Sequence, residues 1–155
     1  MKHLDFTKIN LKSEKALHSL HSLFLNQPYS NYPKGSVIID QGEVLNKAFF
    51  IVEGFVEYVR INYDGTENLI DLLGKDNVVC LPYLFSKNPT EGYFMALTDT
   101  TLSIISEDEL YYYIEQDYYL AKGIIEELSK IVSGLINQMS AYTISAEQRV
   151  LEILC

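Results

Sequence analysis

The sequence predicts a mainly β fold with flanking helices: an antiparallel β-roll or jelly roll, followed by one long helix. Three observations carry this reading. Between Pro33 and Ser106 the chain breaks into short β-rich runs (VIID, AFFIV, FVEYVRINY, NLIDLL, YFMAL and LSIIS) separated by turn residues. Before and after that stretch the apolar period changes to that of an amphipathic helix. The 155 residues, 48% of them hydrophobic, are enough for one ordinary domain with a buried core.

The first helix is predicted from Ser13 to Gln27, where Leu17, Leu20 and Phe24 share a face and Pro28 closes the segment. His18 and His21 lie on a neighbouring face, but no carboxylate or thiol completes a ligand set, so a solvated helix face is expected rather than a metal site. Within the roll, Asp64-Gly65 is the strongest hairpin signal, because both residues tolerate positive φ, and Gly42 and Gly54 mark tight turns. Ser106 and Glu109 form a capping box that opens EDELYYYIEQD as a short helix.

A longer helix is expected from about Asp117 to Tyr142. Ile125, Leu128, Val132, Leu135, Met139 and Tyr142 recur in it at alternating spacings of 3 and 4, the pattern of a coiled-coil seam. Leu120, Ile124 and Ile131 supply a flank toward the chain's own roll, which leaves the seam for a homodimer. The twelve tyrosines, including the run at 111 to 113, are read as packing and rim residues. The final stretch, SAEQRVLEILC, starts a further helix with Ser145 as N-cap and Gln148 at the third helical position, and contains no stop signal.

Composition excludes several function classes. Twelve Lys and Arg against 21 Asp and Glu give a formal charge of −9, which argues against these residues alone holding a nucleic acid. No run approaches a membrane span and the N-terminus lacks a signal-peptide core, so a soluble, cytoplasmic protein without membrane contact is expected. Cys80 and Cys155 cannot frame a metal or iron–sulfur centre alone, and Cys80, in the apolar run VVCL, reads as a buried thiol. The roll contains no His, which disfavours a cupin-like metalloenzyme; no catalytic residue and no cofactor is expected.

The order of elements, together with residues 32 to 79, YPKGSVIIDQGEVLNKAFFIVEGFVEYVRINYDGTENLIDLLGKDNVV, resembles the effector domain of the CRP/FNR transcription regulators. Gly35, Gly42, Glu43, Phe49, Phe50, Ile51 and Gly54 match that family in order and spacing. The resemblance implies a cyclic-nucleotide-binding-like roll with its N-terminal helix over 1–116 and a dimerisation helix over 117–142. It further implies, over 143–155, a hinge near Thr143-Ile144 and the first helix of a truncated C-terminal winged helix-turn-helix domain, with Arg149 and Val150 at a family Arg-aliphatic pair. DNA would then be contacted through a C-terminal domain absent from this chain.

Cyclic-nucleotide-binding members carry a Gly-Glu pair at the start of a short helix, then an Arg followed by a small hydroxyl residue. Those positions fall here on Cys80-Leu81 and Thr90-Glu91, so the groups that would neutralise a cyclic phosphate are missing. Haem and iron–sulfur branches are disfavoured for want of ligands. The expected pocket, with Leu81, Pro82, Tyr83, Phe85, Tyr93 and Met95 and with Glu91 at its edge, suits a small aromatic or carboxylate effector. Lys130 and Gly134 belong to a helix stripe (Gly123, Glu127, Lys130, Gly134, Asn137) expected to face the roll, and Leu128-Ser129-Lys130-Ile131 resembles the halophenol-sensing branch. A solvent-exposed Lys130, or a roll that senses no small molecule and serves as a ligand-independent dimeric module, is the alternative.

Overall fold

The computed structural model describes residues 6–154, and the side chains of residues 13–140. In chain order it contains α1 (Phe6–Leu25), β1 (Tyr29–Tyr32), β2 (Val37–Ile39), β3 (Lys47–Glu53), β4 (Val56–Ile61), β5 (Glu67–Leu73) and β6 (Val78–Val79). A short helix α2 (Leu81–Ser86) follows, then β7 (Tyr93–Ala96), β8 (Thr100–Ser106), α3 (Glu107–Gln116) and the long α4 (Tyr118–Leu154). The chain divides into two compact units, Met1–Gly123 and Ile124–Cys155.

In the first unit the strands form two four-stranded antiparallel sheets, ordered β1-β8-β3-β6 and β2-β7-β4-β5, the β-roll the sequence predicts. Three consecutive residues of β3, Phe49, Phe50 and Ile51, are all buried. Strand side chains alternate between faces, so this sheet must be covered on both. Helix α1 provides one cover: Phe24 stacks on Phe50 at 5.2 Å and the His21 ring meets Phe50 edge-on at 5.3 Å. Ser103, which faces Phe50 across the β3–β8 ladder, donates its hydroxyl to the Phe24 carbonyl. His18 is exposed as expected, whereas His21 is half-buried against Phe50, which corrects the expectation of a solvated pair.

Local signals in the roll are realised where backbone conformation demands them. The β4–β5 hairpin turns through Asp64-Gly65, with Gly65 at φ 82°, and the Asp64 carboxylate accepts from the Thr66 amide and hydroxyl. Gly54 sits at φ 97°, where an added Cβ would lie 2.6 Å from the Asp99 carbonyl oxygen. Helix α3 begins with the predicted capping box: Ser106 accepts from the Glu109 amide, and the Glu109 carboxylate accepts from the Ser106 amide.

The first unit runs past the expected boundary at 116 to Gly123, because the opening turns of α4 pack on α1. A Cβ on Gly123 would lie 2.7 Å from the Ala16 carbonyl oxygen, so glycine permits that approach. At the start of α4, Asp117 accepts from the Ser19 hydroxyl and the Tyr119 amide.

In the second unit α4 leaves a broad apolar surface exposed. Ile125, Val132, Leu135 and Met139 are 62%, 54%, 52% and 67% exposed, and Leu128 is half-buried. The side chain of Tyr142 lies outside the described residues. Helical structure runs through Thr143 and Ile144 to Leu154, so the expected hinge does not interrupt the helix here and Ser145 is not an N-cap. No helix among the described residues is long and apolar enough to cross a membrane.

Candidate functional site

The site forms where α2 meets the sheet containing β4 and β7. Strand β6 delivers the chain to Cys80, which takes a left-handed conformation (φ 71°) and turns it into α2. Leu81 and Leu84 point into the core while Pro82 is exposed, so α2 lies with one face down and Tyr83 on its flank. At the other end Lys87 caps α2 through its own amide to the Tyr83 carbonyl, and its ammonium pairs with Glu107 of α3. Burial pushes the Cys80 thiol well above its usual range, with the Glu43 carboxylate adding to the effect, so it is an inert core group rather than a nucleophile.

The connection from α2 to β7 fixes the opposite wall. Thr90 is buried, and its hydroxyl donates to the Asp40 carbonyl at 2.8 Å and accepts from the Gly42 amide at 3.1 Å. Its backbone pairs with the same loop through Gly42 and Glu43, at 2.8 and 2.9 Å. Thr90 therefore serves as a clasp on the β2–β3 loop. Gly92 follows, packed so tightly that an added Cβ would lie 2.3 Å from the Val59 carbonyl oxygen and 2.6 Å from the Tyr58 ring. That contact sets the Glu91 backbone beside the tyrosines.

Tyr58 is the centre of the arrangement. Its ring stacks on Phe94, its partner across the β4–β7 ladder, with centroids 4.2 Å apart and planes 2° from parallel. Its hydroxyl lies 2.7 Å from that of Tyr83, and the Tyr83 oxygen accepts from the Glu91 amide at 3.4 Å. Burial, reinforced by the hydrogen bond to Tyr83 and the nearby Glu91 carboxylate, pushes the Tyr58 phenol far above its ordinary range, so it stays neutral. Two residues along β4, the Arg60 guanidinium stands 3.7 Å from the Glu91 carboxylate, with the two side chains 49% and 68% exposed. Tyr93 is directed away to Glu67 on β5, at 3.2 Å.

Of the expected site residues, Tyr83 and Glu91 meet in this cluster, Leu81 lies in the core, Pro82 is on the exposed side of α2, and Tyr93 bonds Glu67. Lys130 and Gly134 belong to the second unit, where Lys130 is exposed and pairs with Glu127 at 2.7 Å, and nothing lies within 4 Å of a Cβ built on Gly134. Sequence reasoning missed Tyr58, Arg60, Gly92 and Phe94. The signal for the first two was their spacing of two in FVEYVRINY, just ahead of the hairpin. An open groove of about 280 Å³ between α1 and α3, lined by Ser19, Asn26, Tyr113 and Asp117 among others, has its one carboxylate already engaged by Ser19. No group of His, Cys, Asp and Glu among the described residues could hold a metal ion.

No curated protein sequence matches the chain. Among solved structures, the Catabolite Activator Protein of Thermus thermophilus superposes with a TM-score of 0.69 at 18% identity, covering 85% of this chain and 59% of that one. A transcriptional regulator from Thermotoga maritima gives 0.71 at 14% identity, covering 77% of this chain and 94% of the other. Oxidized CprK in complex with o-chlorophenolacetic acid gives 0.68 at 24% identity, covering 81% and 52%. The chain thus spans under two thirds of the Thermus protein and about half of CprK. The sequence model of the cyclic nucleotide-binding domain matches residues 29–117, more than half of the chain. On that match the chain belongs to the cyclic nucleotide-binding domain family, in the fold of the CRP/FNR effector domain.

Proposed function

We propose that the chain is the effector-sensing and dimerisation portion of a CRP/FNR-type transcription regulator that does not respond to cyclic nucleotides and is gated by a small aromatic or carboxylate effector. It acts by binding, as a cytoplasmic homodimer, with DNA contacted through a C-terminal domain of a longer polypeptide. The carrying observation is Thr90. Where cyclic-nucleotide-binding members present an arginine to the phosphate, this chain has a buried threonine whose hydroxyl is consumed by Asp40 and Gly42. At the position of the family glutamate, Leu81 points into the core. Each missing charge-assisted contact is worth about 1.5–3 kcal/mol, so two losses remove most of the affinity for a cyclic phosphate.

Aromatic surface takes the place of those charges. Tyr58, held in place by its stack on the buried Phe94, and Tyr83 are half-buried and bring together two rings and two hydroxyls, which suits an aromatic ring carrying an acidic group. CprK, of the same fold, is described in complex with o-chlorophenolacetic acid, a molecule of that chemistry. Effector binding would shift the population between two arrangements of the long helices, and so of the DNA-binding domains they carry.

The test is a melting screen with calorimetric follow-up, using cyclic AMP, cyclic GMP and o-chlorophenolacetic acid. A ligand selective for the native state at about 100 times its dissociation constant stabilises by roughly 2.7 kcal/mol. The aromatic acid should raise the melting temperature and the cyclic nucleotides should not; micromolar binding of either nucleotide overturns the proposal. One observation favours the alternative of a ligand-independent dimeric module: Lys130 is already neutralised by Glu127 on its own helix.

A further inference from the structure

The Tyr58–Tyr83 pair and the Arg60–Glu91 pair form one connected group, because Glu91 belongs to both. Its amide donates to the Tyr83 oxygen and its carboxylate faces Arg60. Hydrogen counting shows what the group lacks. Two phenolic hydroxyls carry two hydrogens, and the bond between them uses one. Tyr83 already accepts from the Glu91 amide. Whichever tyrosine donates across the 2.7 Å contact, one O–H remains with no acceptor among the described residues.

The charges show a matching deficit. At 3.7 Å the Arg60–Glu91 contact is longer than a good charge-assisted hydrogen bond, and both side chains are about half exposed or more, so the pair holds weakly. Glu91 stays in place for other reasons, since the buried Thr90 and the tightly packed Gly92 anchor it on both sides. A guanidinium fork with a loose partner, linked through Glu91 to a spare hydroxyl donor, matches the two oxygens of a carboxylate, or the single oxygen of a phenolate.

We propose that Arg60 and the spare hydroxyl of the Tyr58–Tyr83 pair read the anionic head of the effector, and that Glu91 is an internal counter-ion which the effector displaces from Arg60. This rests on the effector reading above and adds to it the groups that recognise the acid, all of them within the first unit. Glu91 then sets a threshold: only an anion that binds the fork better than a tethered carboxylate does can enter, and a neutral aromatic of the same shape is left with the hydroxyl alone.

The experiment is calorimetry on the full 155-residue chain with o-chlorophenolacetic acid and its uncharged primary amide. Arg60→Gln should weaken the acid by about ten- to a hundredfold and leave the amide unchanged. Glu91→Gln should tighten the acid. Because Arg60 is exposed, the unliganded melting temperature of Arg60→Gln should match wild type, and Arg60→Lys, which keeps the charge without the fork, should fall between the two. If wild type binds and Arg60→Gln binds equally well, or Glu91→Gln weakens the acid, the inference is overturned while the effector reading stands. If wild type binds neither compound, both are overturned.

Discussion

The hydroxyl oxygens of Tyr58 and Tyr83 stand 2.7 Å apart, a bond that joins strand β4 to helix α2 across the mouth of the roll. It depends on protonation. Burial and this hydrogen bond raise the folded-state pKa of Tyr58 above the value of about 10 expected in the unfolded chain.

The sign of the linkage follows. A phenol whose folded pKa is raised contributes stability that is fully present below about pH 10 and is lost as pH rises beyond it, because the unfolded chain releases its proton first. The buried Cys80 thiol, also raised, adds a similar loss beginning near pH 9. The melting temperature should therefore fall steadily above about pH 9. Tyr58→Phe should lower it at neutral pH, by the cost of one hydrogen bond at about 0.5–1.5 kcal/mol, yet fall less steeply than wild type above pH 10. Parallel melting curves from pH 8 to 11 would rule out Tyr58 as a contributor.

The reciprocal bonds between Ser106 and Glu109 make α3 a local test of sequence-encoded structure. Ser106→Ala should cost about 1 kcal/mol, since it strands a helix amide donor. Glu109→Ala should cost less, and the double variant less than the sum, because each residue completes the other's bond. Urea denaturation of the three variants measures this, and strict additivity would show that the box does not act as a unit.

What could be read in the sequence was what depends on neighbours along the chain. The Asp64-Gly65 hairpin, the Gly54 turn and the Ser106 cap are each fixed by backbone preferences within about four residues, and all three are present. The site was legible only in part. Tyr83 and Glu91, both expected from the sequence to line a pocket, lie in one cluster, but Tyr58 meets Tyr83 only because β4 pairs with β7 in a register that stacks Tyr58 on Phe94, and no local pattern encodes that register. The sequence shows at Thr90 only the lack of an arginine; its use as a buried clasp on Asp40 and Gly42 follows from long-range packing. The burial of His21 against Phe50 is not legible either, because helix periodicity cannot show that a sheet covers a second face.

Two glycines that the sequence does not distinguish should behave oppositely. Gly92→Ala would place a methyl 2.3 Å from the Val59 carbonyl oxygen, a backbone atom that cannot move aside cheaply, so a loss of roughly 1–3 kcal/mol is expected. Gly134 sits inside α4 with open space around its Cβ position, so Gly134→Ala should stabilise the helix by about 0.5–1 kcal/mol. Thermal melts of both variants decide this. A destabilised, monomeric Gly134→Ala would instead mean that a second helix approaches there.

The exposed stripe of α4 bears on assembly. Ile125, Val132, Leu135 and Met139 are each more than half exposed and recur at seam spacing, and Ile136, off the seam, is 56% exposed as well. At about 25 cal/mol per Å², an apolar surface of this kind is costly to leave in water, and most of a helix's stability in a protein comes from packing its apolar face. In the proposed homodimer a second copy of the helix would cover the seam through its own a and d positions, with Leu128 and Leu135 at its centre. Wild type should therefore sediment as a dimer. Leu128→Glu combined with Leu135→Glu, which sets like charges facing each other across the seam, should sediment as a monomer while keeping the roll's near-ultraviolet circular dichroism. A wild type that is monomeric at micromolar concentration, or a double variant that remains dimeric, would assign this stripe to another surface.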